Sequence, residues 1–228
     1  GNWFFSREIL GGGSGGRYYA DGSDAIHVVP DSKNLPAEFV EARFPVRIET
    51  LGLAPDSGGA GKYRGGLGYQ KEIRVLADDA KFMSIADRSI LSCWGLNSGK
   101  AGAPFKVTVN PGSDDEQVME GLCDREPITQ GSLIRVETTG GGGWGDPLDR
   151  DTSSVRLDVL QGKVSKEAAH QDYGVVFVAD ENQFDVDVEQ TRTLREELVM
   201  KRGSPKFFDR GPGFESLAGK TEAEVDRI

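Results

Sequence analysis

Four glycine blocks constrain this chain more than any other feature: "GGGSGG" at 11–16, "GGAGKYRGGLG" at 58–68, "GLNSGKAGAP" at 95–104 and "GGGGWGDP" at 140–147. In all, 31 of 228 residues are glycine, about twice the usual share. The glycines come in blocks without a period, so neither a collagen repeat nor a flexible linker explains them. Each block is flanked by a strand-like segment, and the blocks are therefore expected to be loops of one folded unit.

From residue 25 to 138 short β-type runs alternate with turns. They are "AIHVV", "FPVRIETLGL", "YQKEIRVL", "AKFMSIA", "FKVTV" and "SLIRVET". Near-alternate apolar positions in "RIETLGL" and "LIRVET" suit strands with one buried face. The period then changes. "DTSSVRLDVLQG" reads as a helix with Asp151 or a neighbouring hydroxyl as N-cap, Val155, Leu157, Val159 and Leu160 on its apolar side, and Gly162 past its end. A second helix, "SKEAAHQD", starts at Ser165 and leads into an apolar strand, "YGVVFV". After the turn "ADENQ" a longer helix, "DVEQTRTLREELVMKRG", is stopped by Gly203 and Pro205. The expected fold is α+β: a β-rich core with glycine-rich loops over 1–148, a helical segment with one strand over 149–203, and an extended tail over 204–228.

The glycine blocks fail as nucleotide loops. Gly11, Gly13 and Gly16 meet the dinucleotide spacing formally, but the pyrophosphate needs a helix opening at the third glycine, and "RYYADGSD" follows instead. A P-loop needs Ser or Thr after Gly-Lys; Gly61 and Lys62 are followed by Tyr63. Metal and nucleophile chemistry is equally sparse. His27 and His170 are the only histidines, and each reads as a structural or solvated side chain. Asp21 with Asp24, and Asp114 with Asp115 and Glu116, are carboxylate clusters that suit either a hard cation or a turn, the turn being the simpler reading. No metal ligand set emerges. Cys93 and Cys123 lie too far apart in sequence to form a disulfide framework and read as reduced, buried thiols.

Charge narrows the partners. Lys and Arg number 27 against 37 Asp and Glu, a formal net charge of −10, which leaves no basic stripe for a phosphate backbone. Nucleic acid is not expected. Neither a membrane span nor a secretory leader is visible, so the expected location is cytoplasmic. Trp3, Phe4, Phe5 and Ile9 would present an apolar patch of the kind that marks an interface.

"LPAEFVEARFPVRIETLGLAPDSGGAGKYRGGLGYQKEIRVL" closely resembles the central block of the hydantoinase B family. That family includes the C-terminal half of ATP-dependent 5-oxoprolinase, N-methylhydantoinase B and related subunits of acetone and acetophenone carboxylases. The likeness continues in order through "GGGSGGRYYADGSDAIHVV", "WGLNSGKAGAP", "VETTGGGGWGDPLDRD" and "VLQGKVSKEAAHQDYGVVF", spanning residues 8–178. Family members are longer, and nothing here matches the N-terminal segment thought to supply their metal ligands. "ADRSILSCWGL" keeps Asp87 and Arg88 but lacks the prolines that often follow in the family. The chain therefore resembles a C-terminal part of such a subunit.

The resemblance implies a partner subunit that uses ATP to phosphorylate an amide oxygen, a ketone enolate or bicarbonate, after which this subunit handles the activated species. ATP and a divalent metal ion are implied for the complex, without motifs for either in this chain. The implied partners are the N-terminal half of the same subunit, a hydantoinase A-like ATP-binding subunit and a small-molecule substrate. Arg64 and Asp56 become the candidate catalytic residues. Ser57, Gly58, Gly59, Arg17 and Arg88 become candidate substrate contacts, glycine backbone and guanidinium groups both suiting an anionic intermediate. The alternative for the same residues is a set of tight turns in which Arg64 and Asp56 bond the turn backbone. Three functions remain open: ATP-dependent hydrolysis of a cyclic amide, ATP-dependent ketone carboxylation, and a non-catalytic scaffold half.

Overall fold

The computed structural model describes residues 4–27, 34–178 and 184–218. Trp3, the end of the "AIHVV" run, the turn "ADENQ" and residues 219–228 lie outside the described residues. The elements are α1 (Ala37–Arg43), β1 (Val46–Leu53), β2 (Tyr69–Val75), β3 (Ala80–Ile85), β4 (Gly95–Leu96), β5 (Lys106–Val109), β6 (Gln117–Met119), β7 (Leu122–Ile128), β8 (Leu133–Glu137), α2 (Thr152–Leu160), α3 (Lys166–Tyr173), α4 (Val188–Arg202), β9 (Phe208–Asp209) and α5 (Gly211–Leu217). The fold is α+β.

A five-stranded antiparallel sheet runs in the order β1-β2-β8-β5-β6. Its core is a branched-chain cluster of Val75, Val107, Val109, Ile128, Ile134 and Val136. Alternation sets this packing, because successive side chains of a strand point to opposite faces. In β8 the buried positions are Ile134 and Val136. The β3–β7 pair forms a separate ribbon whose inner face, with Ala80 and Phe82, closes on the same cluster.

The helices begin where their caps dictate. Asp151 accepts from the Ser154 N–H, Ser165 from Ala168 and Asp187 from Gln190, so each frees its helix of an orphan donor. Gly174 ends α3 in the left-handed conformation. A second core cluster joins Val155 and Val159 of α2, Val164, Ala169 and Tyr173 of α3, and Val175. Ala60, from the second glycine block, packs into it. The "YGVVFV" run does not become a ladder strand; it makes one isolated bridge, Phe177 to Val186. Thr191 of α4 takes the Val176 N–H on its hydroxyl, meeting a need that a sheet partner would otherwise meet. β4, β6, β7, β9, α1 and α5 are additional to the sequence-based expectation.

The glycine blocks form a layer. Backbone packs on backbone there, with no side chain between. Gly66 donates to the Ser14 carbonyl, Gly141 to Gly66, Gly59 to Gly141, Gly65 to Gly59 and Gly143 to Lys100. At most of these glycines a Cβ would collide. One built on Gly65 would lie 1.8 Å from the Gly141 oxygen, and one on Gly140 would lie 1.7 Å from the Ser57 oxygen. Four segments distant in sequence approach this closely because glycine has nothing to clash.

Within the last stretch, β9 pairs antiparallel with β4, Gly95 opposite Asp209 and Leu96 opposite Phe208. The Asp209 carboxylate accepts from the Ala101 and Gly211 N–H groups, and the Arg210 guanidinium sits 4.9 Å from the Trp94 ring centre and 4.5 Å from that of Phe214.

Candidate functional site

The densest polar chemistry lies where the glycine layer meets α2. The Asp-Gly turn of the first block carries Asp21 and Asp24; the second block carries Arg64; the segment before α2 carries Arg150; α2 itself contributes Asp158. Arg150 grips Asp21 through two bonds of 2.7 Å and reaches Asp158 at 2.7 Å. The Arg64 side chain meets Asp24 at 3.2 Å and the Gly65 carbonyl at 2.6 Å, with its Nε 3.5 Å from Asp158. Lys163 completes the set at 2.9 Å from Asp24. Three carboxylates thus face three cations, and Arg64, Arg150 and Asp158 are buried.

Burial alone would raise the carboxyl pKa values. For Asp21 the hydrogen bonds and charge of Arg150, with the Arg64 N–H, outweigh that effect and hold it below the ordinary carboxylate range. For Asp24 the Leu67 N–H, Lys163 and Arg64 do the same. Burial also disfavours charge on Arg150, yet Asp21 and Asp158 keep its guanidinium protonated well above the usual range. The Tyr173 phenol, enclosed beside this network, has its pKa pushed up by desolvation. Tyr173 Oη and the Nε atoms of Arg64 and Arg150 are buried without a hydrogen-bond partner.

A cleft of 270 Å³ opens above the Arg150–Asp21 pair, lined by Lys62, Tyr63, Asp149 and Ser154 among others. Lys62 and Asp149 are exposed, and Tyr63 lies against Trp144.

The residues singled out from sequence divide between interior and surface. Arg64 is 2% exposed and its charge is engaged within the network. Asp56 is exposed, has left-handed backbone (φ 58°), and accepts the Ser165 N–H at 2.8 Å, tying the second glycine block to the start of α3. Ser57 is buried; its hydroxyl donates to the Ala54 carbonyl and accepts from the Gly68 N–H. Gly58 and Gly59 are part of the glycine layer, Gly59 donating to Gly141. Arg17 is exposed, and its N–H closes a tight turn on Ala20. Arg88, exposed with φ 65°, donates to the Ser92 carbonyl. The structure brings Arg64 together with Asp21 and Asp24, while Arg17 and Arg88 lie outside that network.

Arg150 and Asp158 are not singled out by sequence, and no short motif joins them to Asp21. The one available signal is the run "GDPLDRD", whose alternating charges precede a capped helix. Asp115 and Glu116 serve the turn between β5 and β6: Asp115 accepts from Asn110 and Ser113, and Glu116 from the Gly112 N–H. Among the described residues no three His, Cys, Asp or Glu side chains are grouped to hold a metal ion. No helix among them is long and apolar enough to cross a membrane.

Comparison with known proteins places these features in context. The family described as Hydantoinase B/oxoprolinase matches residues 1–147. An uncharacterised protein of Methanocaldococcus jannaschii is 38% identical over 162 residues, covering 71% of this chain and 28% of its own length. The putative B-type component of a D-/L-hydantoinase from a Pseudomonas species is 32% identical, covering 85% of this chain and 32% of its own. The acetophenone carboxylase delta subunit of Aromatoleum aromaticum is 31% identical, covering 85% and 33%. This chain therefore spans only about a third of the length of these relatives. Among solved structures, a nucleotide-free acetone carboxylase superposes with a TM-score of 0.70 at 22% identity, covering 94% of this chain and 31% of that one. The ATP-dependent caprolactamase of Pseudomonas jessenii superposes with a TM-score of 0.61 at 25% identity, covering 82% and 33%.

Proposed function

From the fact that this chain belongs to the hydantoinase B/oxoprolinase family, we propose that it is part of a subunit of an ATP-dependent enzyme that opens a cyclic amide. In this reading a partner subunit phosphorylates the ring amide oxygen; water adds to the activated carbon, the ring C–N bond breaks with the nitrogen taking a proton, and a second water releases phosphate from the acyl phosphate that remains. The observation that carries the reading is the family match over residues 1–147, joined by similarity to a hydantoinase component and a caprolactamase.

The described residues do not supply a metal ligand set, and the glycine N–H groups that would cradle a phosphate are bonded to one another. What these residues do in the proposed reaction is hold a wall. Arg64, Asp56 and Ser57 act as positioning residues: Arg64 pins the second block to Asp24, Asp56 pins it to α3, and Ser57 fixes its turn. Gly59 sets the spacing of that wall against the third and fourth blocks, and Gly58 sets its spacing against Gly65 within the second. Lys62 and Tyr63, at the cleft mouth, are the groups left to meet an anionic intermediate. Arg17 and Arg88 would add charge from outside the network.

A second reading, ketone carboxylation, is supported by the likeness to the acetophenone carboxylase delta subunit, which covers 85% of this chain, the same share as the hydantoinase component. Assaying the assembled complex with ATP separates the two. Ring opening of a lactam or hydantoin without bicarbonate supports the hydrolase. Bicarbonate-dependent consumption of a ketone, with no ring opening, overturns it.

A further inference from the structure

The β3–β7 ribbon has two unlike faces. Its inner face closes on the sheet core through Ala80, Phe82 and Ile128. Its outer face carries Ile85, 82% exposed, directly opposite Leu122, 71% exposed, with Met83 two residues before Ile85 at 45%. An isolated two-stranded ribbon is marginal in water. One whose free face presents an apolar cross-strand pair has unused contact area, because such pairs are the unit of sheet stabilisation. A bulge at Asp124–Arg125, opposite Met83, bends the ribbon there; Arg125 has φ 56°.

The rim of this pair is acidic. Asp87 follows β3, Glu120 precedes β7, and Asp124 lies within it; all three are exposed. Arg125 is paired with Asp124; with Lys81 and Arg88 counted, three cations stand against the four carboxylates Asp87, Glu120, Asp124 and Glu126, and the balance stays negative. Burial, and then the charges of Glu126, Glu120 and Asp124, push the Cys123 thiol up.

We infer that the outer face of the β3–β7 ribbon, centred on Ile85 and Leu122, is covered by the portion of a hydantoinase B-type subunit lying outside these 228 residues, through an apolar segment flanked by Lys or Arg. Two observations select this occupant. Relatives that match this chain are about three times longer than the matched stretch, with 28%, 32% and 33% of their lengths covered, so most of a subunit remains to pack somewhere. The acidic rim complements a basic-edged partner and repels a second copy of this chain, whose matching face would bring like charges together. Apolar centre and charged rim is the ordinary anatomy of a protein interface. The inference rests on the reading that the chain works within a larger subunit, and not on which reaction that subunit performs.

The test places the photo-crosslinking residue p-benzoylphenylalanine at Ile85 in one preparation of the full subunit, at Leu122 in a second, and at Glu197 of α4 as a control. The native complex is irradiated and the linked peptides are identified by mass spectrometry. Both ribbon positions are exposed, so the substitutions leave the fold intact. The expected result is a link from Ile85 and from Leu122, absent from Glu197, to peptides of the same subunit type outside this stretch that contain apolar residues beside Lys or Arg. Links to residues within this stretch of a second copy, links to the ATP-binding subunit, or no link from either position would overturn the inference. Ring opening is assayed on the same preparations. Ring opening absent from the unsubstituted complex, with the link intact in the substituted ones, removes the hydrolase reading and leaves the surface assignment standing.

Discussion

Arg150 and Asp21, separated by 129 positions, meet through two parallel N–H···O bonds of 2.7 Å each. This fork joins the first glycine block to the segment entering α2, and Asp158 anchors it from the far side. Removing Arg150 leaves the buried Asp158 carboxylate without its nearest cation, a loss of about 3–5 kcal/mol. Arg150→Met should lower stability by that order in chemical denaturation. Arg150→Lys should recover only part, since an ammonium lacks the planar fork. Full recovery by lysine would mean that charge alone matters.

Acid should release the same fork. The folded-state pKa of Asp21 is depressed, so its contribution is present above the unfolded value of 3.8 and is lost as pH falls through the lower folded value. Asp21→Asn is expected to melt below the wild type at neutral pH, with the gap closing under acid as Asp21 protonates. A gap that stays constant to low pH would assign the loss to packing.

The glycine layer predicts a sharp contrast between two substitutions of one kind. Gly65→Ala places a methyl 1.8 Å from the Gly141 oxygen, and backbone on both sides cannot yield. Gly52→Ala, in β1, meets nothing within 4 Å. The first should abolish cooperative melting or lower Tm severely; the second should be near neutral. Equal tolerance would show that the layer can spread.

Arg64 is the most exacting case. A group that stabilised a developing anion directly would cost about two orders of magnitude in kcat on truncation. As a positioning residue, Arg64→Ala should instead lower Tm, with kcat per folded enzyme largely kept and any change in KM following the disturbed second block. A fall of two orders in kcat at unchanged Tm would return Arg64 to direct chemistry.

The helical part was legible because its signals are local. Asp151 and Ser165 mark helix starts by accepting the N–H three residues on, and Gly203 ends α4 with φ 66°. Five of the sheet-forming runs were legible as short β-type runs between turns, β1 and β8 by alternation as well. β7 was not: Pro127 and three charged residues break its pattern, and it is held by its partner β3. α5 was hidden by its own Gly-Pro-Gly start. The glycine layer escaped for a different reason. Periodicity reads side chains, and a layer built from backbone has none to read, so its blocks register as turns. The Arg150–Asp21 fork escaped because no spacing rule relates residues so far apart.

The glycine layer also has a genetic consequence. Every amino acid reachable from a glycine codon by a single base change carries a Cβ. At Gly13, Gly65, Gly140 and Gly141 that first carbon would already fall within 2.0 Å of a backbone oxygen on another segment. Neutral drift is closed at these positions one at a time, and they can change only by coordinated replacement or by moving whole segments apart. Random mutagenesis of this chain should therefore return a map of intolerant sites that traces the four blocks and passes over the far more chemically varied surface around them.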